Sequence, residues 1–279
     1  MPDYQAITRQ IRGWLSYAAL ATAGFAPMVS ADTPQEAEEE AMEIQDVFAP
    51  NEPMYFVVGS DDEQDTARFQ FSFMYRIFDS EGSLVEAAPV LRNMHFAYTQ
   101  TSVWNLSEES APFDDTSYRP SFFWQVDGPG GLFSPDVMRI GYEHESNGQD
   151  GLDSRSIDTL FIQPIWQKPI GDRNLTIIPR LRYYLDKDEN PDIRDYRGYG
   201  DLIIRLGREE SWLVDSTLRM GTEGYGSVEL GVSFPMSARI FNRAGGFFYV
   251  QAFHGYGNTL VDYSQKTDFV VRVGIALVR

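Results

Sequence analysis

The feature that most constrains this chain is the alternation of apolar and polar residues along several long segments. In one of them Phe69, Phe71 and Phe73 share one parity, and polar residues occupy the positions between them. The same pattern recurs at residues 174–185, 227–234 and 268–277. Because successive side chains of a strand point to opposite faces of a sheet, this alternation predicts β-strands. At about 10 residues, the segments exceed the usual strand of about 5 to 6 and match a strand that crosses a bilayer.

Two kinds of all-β fold accommodate such strands. A soluble β-sandwich turns the apolar parity into a core, whereas a membrane barrel turns it to lipid and the polar parity into the lumen. Alternation alone does not separate them. The barrel is favoured by the strand length, an export-like N-terminus, the absence of cysteine and an aromatic content of 14%. We therefore predict an all-β fold, an antiparallel transmembrane β-barrel of about 12 strands.

The recurring apolar segments give an even number of strands, as bacterial barrels prefer. Their predicted centres are Val57, Phe73, Phe96, Phe123, Tyr142, Phe161, Leu181, Ile204, Ser216, Leu230, Val250 and Val273. The longer connections are expected at the end of the barrel away from the N-terminus. In an outer-membrane barrel that end faces the outside of the cell.

The region before the first predicted strand divides into two segments. Residues 1–31 resemble an export signal, because arginines precede a mostly apolar run and Val29-Ser-Ala31 fits a small-residue cleavage site. Residues 32–52 are acidic, and we expect a solvated segment without chemistry there. Residues 53–279 are expected to form the barrel.

Charge and cysteine content exclude several functional classes. The 279 residues carry a formal net charge of -18 and no cysteine. The charge disfavours a nucleic-acid partner, because binding to phosphates depends on Lys and Arg. The lack of cysteine excludes a disulfide framework and a Cys-based metal site. A cation-dependent protein remains compatible with this composition.

The segment from Gly141 to Gly148 carries the candidate chemistry. His144 and Ser146 are two residues apart, so on a strand both side chains lie on one face. If a hairpin is centred on Gly151, His144 lies opposite Asp158, and a serine also lies opposite Ser146. One hairpin would then hold a nucleophile, a base and a carboxylate, as in a hydrolase triad. The simpler interpretation is an ordinary His and Ser at the end of a strand.

The parity of the pair predicts where it lies. Met138, Ile140 and Tyr142 share the parity of His144 and Ser146, so the site is expected to face lipid at the level of the outer leaflet. A site in that position meets lipid rather than a soluble substrate, which points to an acyl ester of a membrane lipid.

The residues after the serine suggest an oxyanion and a cation site. Gly148 offers an unhindered backbone amide that could stabilise an oxyanion. The loop at residues 149–154 is rich in oxygen ligands of the kind that Ca²⁺ binds, although it lacks the EF-hand spacing. A solvated turn would have the same composition.

At this point the sequence resembles bacterial outer membrane phospholipase A. The resemblance is carried by Tyr98-Thr-Gln100, Leu106-Ser-Glu-Glu-Ser110, Gly141-Tyr-Glu-His-Glu-Ser-Asn-Gly148, Ser154-Arg-Ser156, Asn190-Pro-Asp-Ile193 and Gly224-Tyr-Gly226. It implies a twelve-stranded barrel in the outer membrane and a calcium-dependent phospholipase that is active as a homodimer.

The resemblance also implies roles for individual residues. Ser146 would be the nucleophile, His144 the base and Gly148 the oxyanion amide. Calcium would be held by Ser154, by a carbonyl near Gln149 and by Ser110 of the neighbouring copy. Gln100 would lie in the dimer interface, on a face that our parity assignment also points to lipid.

Two departures from the family pattern affect these roles. The third member of the family's triad is an asparagine, whereas this chain has Asp158. An anion facing lipid costs more than an amide, and we expect a working triad with an altered pH dependence. The second departure is that the loop before Ser110 is shorter than the corresponding loop expected for the family. The alternative functions are a non-enzymatic barrel, as a pore or structural protein, and another outer-leaflet enzyme such as a lipid A deacylase.

Overall fold

A computed structural model of the chain describes residues 47–60, 64–208, 210–236 and 245–279. The predicted export signal and most of the predicted acidic segment lie outside the described residues.

The described chain forms one antiparallel sheet that closes on itself as a twelve-stranded barrel. The strands are β1 Phe48–Ala49, β2 Met54–Ser60, β3 Asp65–Arg76, β4 Met94–Asn105, β5 Phe113–Asp127, β6 Val137–Ser146, β7 Ser156–Ile170, β8 Arg173–Asp186, β9 Gly200–Gly207, β10 Leu213–Met220, β11 Gly226–Pro235, β12 Phe247–Tyr256 and β13 Lys266–Val278. Each strand from β2 to β13 pairs with its neighbours in sequence, and β13 pairs with β2 to close the barrel. The two-residue β1 pairs with the C-terminal end of β3.

Short helices lie in the connections. They are α1 at Ser83–Ala87, α2 at Ile193–Arg197, and 3-10 turns at Pro89–Leu91 and Gly151–Asp153. Among the residues that the structure describes, no helix is long and apolar enough to span a bilayer.

The predicted strand count and positions are confirmed. Each of the twelve predicted centres lies in a different strand from β2 to β13. The predicted distribution of long connections is only partly right. The connection between β3 and β4, which carries α1, is long although it lies at the end of the barrel where the N-terminus enters.

The two parities of the strands face different surroundings. Outward positions carry exposed apolar side chains, such as Phe71, Ile140 and Val273, each 50% to 52% exposed. This band of apolar side chains is the exterior expected for a barrel that lies in lipid. Inward positions carry charged side chains, as the sequence predicts.

Ion pairs fill much of the lumen. Glu52, just before β2, binds Arg119 of β5 with 2.6 Å between Oε2 and Nη2. Arg180 of β8 binds Glu143 of β6 with 2.7 Å between Nη2 and Oε2. Asp201 pairs with two arginines, Arg182 and Arg219. These pairs satisfy charges that a purely apolar interior would leave uncompensated, and they leave a polar cavity of about 270 Å³.

A small apolar cluster orders the outer end of the barrel. Its buried members are Ile157, Ile193, Leu260 and Tyr263. The Tyr263 hydroxyl donates to the Asp192 carboxylate. Burial and this hydrogen bond raise the pKa of Tyr263 above its usual value, so the hydroxyl remains a donor. The cluster ties α2 and the last outer loop to the start of β7.

Candidate active site

The hairpin of β6 and β7 has the predicted register. His144 lies directly opposite Asp158, and Ser146 lies directly opposite Ser156. The predicted face is also confirmed, because Ile140 of the same parity is exposed on the exterior. Glu143 and Glu145 of the other parity bind lumen arginines. The hairpin therefore presents His144 and Ser146 on the lipid-facing side, near the outer end of β6.

A short network joins three side chains of this face. His144 Nδ1 lies 2.8 Å from Asp158 Oδ1, with the two side chains about one third and one quarter exposed. The Tyr142 hydroxyl donates to the same carboxylate oxygen. We did not assign a role to Tyr142 from the sequence. Its parity, two residues before His144, was the available signal, because it places the ring diagonally across from Asp158.

Ser146 completes the row along β6. Among the hydrogen bonds of the described ranges, none joins Ser146 to His144. Its direct cross-strand neighbours are Tyr118 on one side and Ser156 on the other. Catalytic hydrogen bonds are often long in free enzymes and shorten when substrate binds. The structure thus places the three predicted side chains on one face of the hairpin and forms the hydrogen bond between His144 and Asp158.

The lumen side of the same strand is held by two acids. Glu145 is 7% exposed and lies between His144 and Ser146 in sequence. Its Oε1 accepts from the Ser117 hydroxyl at 2.8 Å, and its Oε2 accepts from Arg197 of α2 at 3.0 Å. Glu143, two residues earlier on the same face of β6, binds Arg180. Side chains on the lumen side thereby fix the strand that presents His144 and Ser146 on the other side.

Asn147 organises the loop that follows. Its side chain is almost fully buried, and its Nδ2 donates to the Asp153 carbonyl at 2.7 Å. Its Oδ1 accepts from the backbone amides of Arg155 at 3.0 Å and Gln149 at 3.3 Å. No role of its own was predicted for Asn147 from the sequence. Three hydrogen bonds from one side chain hold the loop in a compact shape beside the strand end.

Gly148 occupies a position that requires glycine. Its φ is +68°, in the left-handed region that residues with a Cβ rarely adopt. A Cβ there would also lie 3.1 Å from Cε2 of Tyr118. No acceptor among the described residues takes the Gly148 N–H, so this amide is available beside Ser146 to a ligand oxygen.

The predicted calcium residues are only partly brought together. Ser154 and Gln149 lie on the same loop, and Ser154 Oγ donates to Glu189 Oε2 at 3.0 Å. The Arg155 guanidinium donates to the carbonyls of Leu152 at 2.8 Å and Ser154 at 2.7 Å. Ser110 is exposed on the connection between β4 and β5, and no hydrogen bond joins it to Ser154 within the described chain.

The donor set fits a hard cation. Hydroxyl, carbonyl and carboxylate oxygens are the ligands that Ca²⁺ takes, and Ser154 already has the Glu189 carboxylate within hydrogen-bond distance. Glu189 was not predicted from the sequence, because it lies on a different loop. No group of three or more His, Cys, Asp or Glu with metal-site geometry occurs in the described parts of the chain.

Gln100 lies on the outward face, as its parity predicts. It is not a lone amide, because Tyr98 Oη donates to its Oε1 at 3.0 Å and its Nε2 donates to Ser102 Oγ at 3.3 Å. The other histidines lie away from the hairpin. His95 Nδ1 donates to the Asn93 carbonyl at 2.8 Å, and His254 is exposed on β12.

Comparisons with known proteins assign a family to the chain. The model of a family described as phospholipase A1 matches residues 35–277. A putative phospholipase A1 of Neisseria meningitidis serogroup B is 35% identical over 66% of this chain and 48% of its own length. Phospholipase A1 of Klebsiella pneumoniae is 32% identical over 77% of this chain and 70% of its own length. The chain thus spans about half of the first relative and more of the second.

Solved structures agree with the fold. Outer membrane phospholipase A from Escherichia coli has a TM-score of 0.68 at 24% identity, and the match covers 93% of this chain and 97% of that one. A dimer of Salmonella typhi outer membrane phospholipase with bound calcium has a TM-score of 0.67 at 26% identity. That match covers 81% of this chain and 90% of the Salmonella chain.

Proposed function

The chain belongs to the phospholipase A1 family, and from this membership we propose that it is a calcium-dependent phospholipase of the outer membrane that hydrolyses acyl esters of phospholipids. The observation that carries the proposal is the His144–Asp158 hydrogen bond beside Ser146 on the lipid-facing side of the barrel. A hydrolase with that placement reaches the ester bonds of lipids in the outer leaflet.

The side chains have distinct roles in the proposed reaction. His144 accepts the proton of Ser146 as the serine oxygen attacks the ester carbonyl, and the lipid alcohol leaves with a proton returned by His144. Asp158 holds the imidazole through Nδ1, which leaves Nε2 to face the serine. Water, activated by His144, then releases the fatty acid from Ser146.

Gly148 serves the oxyanion. The tetrahedral intermediate carries negative charge on the former carbonyl oxygen, and a preorganised donor lowers its energy. The N–H of Gly148 follows the nucleophile by two residues and has no acceptor within the described chain. Gly148 lies just beyond the end of β6 and has a left-handed φ of +68°.

Ser154, the Gln149 carbonyl and Ser110 of a second copy are the proposed calcium residues. These residues would hold the ion through oxygen ligands, and calcium when bound would supply positive charge that stabilises an oxyanion. Glu189 would orient the Ser154 hydroxyl or provide a further carboxylate oxygen. The Salmonella structure contains calcium in a dimer, which supports the assignment of both properties to this chain.

Dimer formation would complete the site. Ser110 lies on the exposed connection between β4 and β5, and in the proposed dimer it meets Ser154 of the other copy. Gln100 and its hydrogen-bond partners Tyr98 and Ser102 place polar groups on the outward face. In lipid, such groups favour contact with the same polar groups of a second copy. A hydrolase that requires a second copy is inactive as a dispersed monomer, which protects the membrane.

We also propose that residues 1–31 are an export signal, residues 32–52 an acidic segment without catalytic residues and residues 53–279 the barrel. The end of the acidic segment is not solvated as expected, because β1 pairs with β3 and Glu52 binds Arg119 in the lumen. N-terminal sequencing of the protein purified from outer membranes tests this division. A mature N-terminus close to Asp32 is the expected result, and a chain that keeps residues 1–31 contradicts it.

The function is tested by fatty-acid release from phospholipid in detergent micelles. Release is expected with calcium and not with chelator, and Ser146→Ala abolishes it, while Ser156→Ala on the opposing strand serves as the matched control. Release unaffected by Ser146→Ala overturns the hydrolase proposal. Activity on lipid A but not on phospholipid supports a lipid A deacylase, and ion conductance without any release supports a pore. Cross-linking with and without calcium reports the dimer.

A further inference from the structure

The three side chains around Asp158 form a pattern that the triad alone does not require. Asp158 accepts two hydrogen bonds on one oxygen, Oδ1: one from the Tyr142 hydroxyl and one at His144 Nδ1. Tyr142 and His144 are two residues apart on β6, so both reach across to the same position of β7. The tyrosine is therefore a third partner of the pair of base and carboxylate.

The position of Asp158 makes such a partner necessary. Its carboxylate lies on the exterior of the barrel, away from the arginines of the lumen, and about one quarter of the side chain is exposed. An anion on this face has weak solvation. Within the described ranges, the one cationic side chain at ion-pair distance from it is His144 in its protonated form. A hydroxyl that donates to the carboxylate compensates part of its lost solvation.

The chemistry of the groups fixes their orientation. An ionised carboxylate accepts hydrogen bonds and donates none. When Asp158 is ionised, both Tyr142 and His144 must donate to it, and a neutral His144 then carries its proton on Nδ1. The other ring nitrogen is left as an acceptor, which is the form that a base toward Ser146 needs.

An amide at position 158 would depend less on the Tyr142 hydroxyl. Its oxygen could accept from Nδ1 in the same way, but it carries no charge that a second donor must stabilise. The hydroxyl of Tyr142 would then contribute less, since hydrogen bonds to charged groups are roughly twice as strong as those between neutral groups. The importance of Tyr142 is thus coupled to the aspartate of this chain.

We propose that Tyr142 is a positioning residue of the hydrolase, whose hydroxyl holds the Asp158 carboxylate in the orientation that keeps His144 ready to accept the Ser146 proton. This inference rests on the proposed function and deepens it. Tyr142 acts through Asp158 and His144 and does not itself take part in bond making. Its contribution is therefore expected in kcat rather than in substrate affinity.

A double-mutant cycle tests the proposal on the full-length protein in detergent micelles with saturating calcium. The variants are Tyr142→Phe, Asp158→Asn and the two combined. Tyr142→Phe is expected to lower kcat about tenfold with KM changed less than twofold. In the Asp158→Asn background the same change is expected to lower kcat less than threefold.

Tyr183→Phe is the matched control. Tyr183 is an outward tyrosine of β8 and is 66% exposed. Its substitution removes a hydroxyl from the same apolar surface and is expected to leave kcat and KM unchanged. Heat-dependent gel mobility of each variant reports whether the barrel is folded.

The outcomes separate this proposal from the proposed function. If Ser146→Ala is inactive while Tyr142→Phe has the kcat of the unmodified protein, the positioning role is overturned and the hydrolase stands. If Tyr142→Phe costs the same in both backgrounds, its effect does not pass through Asp158, and the proposal is also overturned. If Tyr142→Phe alone fails to fold, activity of the combined variant close to that of Asp158→Asn supports the coupling, and a tenfold lower activity contradicts it.

Discussion

Glu145 and Arg197 join the strand of the candidate nucleophile to the outer helix α2, with 3.0 Å between Oε2 and Nη1. Both side chains are about one tenth exposed, and Glu145 lies between His144 and Ser146 in sequence. The ion pair therefore acts from the lumen on a strand whose candidate site lies on the opposite face. It couples the folding of an outer loop to the position of the site.

Glu145→Gln tests this coupling. Removing one charge of a buried pair leaves Arg197 uncompensated, which costs about 3 to 5 kcal/mol of stability in comparable sites. We expect a lower unfolding temperature of the barrel, read from heat-dependent gel mobility, and a reduced kcat. Asp268→Asn on the exposed start of β13 is the control and should change neither. Full stability of Glu145→Gln would show that the pair is dispensable.

Asp158→Asn tests the departure from the family pattern. The amide keeps an oxygen that accepts from His144, so hydrolysis is expected to continue within about tenfold of the unmodified rate. We also expect the profile of kcat/KM against pH to differ between the two proteins, because the group beside His144 carries a charge in one and none in the other. Superimposable profiles would count against a role for the charge.

Asn147→Ala tests the loop. The change leaves the Asp153 carbonyl and two backbone amides without their partner, and each lost hydrogen bond costs about 0.5 to 1.5 kcal/mol. We expect a lower kcat and a higher calcium concentration for half-maximal activity, with the barrel still folded. Asn174→Ala on the exposed start of β8 is the matched control. Equal kinetics of both variants would show that the Asn147 side chain does not organise the loop for catalysis.

Ser154→Ala tests the proposed calcium ligand. Loss of one oxygen ligand is expected to raise the calcium concentration for half-maximal release about tenfold, a change of about 1.4 kcal/mol. Activity at saturating calcium should recover to within a few-fold of the unmodified protein. Ser156→Ala, two residues on, should leave the calcium titration unchanged. Calcium titrations of Ser154→Ala that overlay the unmodified protein would rule this ligand out.

Much of the fold was accessible from the sequence because its signals are local. The period of two fixes which side chains share a face, and the length of each alternating segment predicts a membrane strand. Even the pairing of His144 with Asp158 followed from the centre of one hairpin, since the register of adjacent strands depends mainly on the turn that joins them. Chain closure by β13 and β2 needed no further information beyond the number of strands.

The contacts that tune the site were not accessible in this way. Glu52 reaches Arg119 across the lumen, Arg197 reaches Glu145 from an outer helix, and Glu189 reaches Ser154 from another loop. These pairs lie 67, 52 and 35 residues apart in sequence. No periodic pattern relates residues at such separations.

The sequence by itself determined the strands, their faces and the row of Tyr142, His144 and Ser146 along β6, because backbone geometry alone places alternate residues on one side. Only the tertiary structure decided what that row touches. The Tyr142 hydroxyl meets the Asp158 carboxylate because two side chains on neighbouring strands adopt rotamers that converge. The loop after Ser146 is held by the buried Asn147, and the strand is held from behind by Glu145. Barrel closure brings those partners together from distant parts of the chain, which the order of residues does not specify.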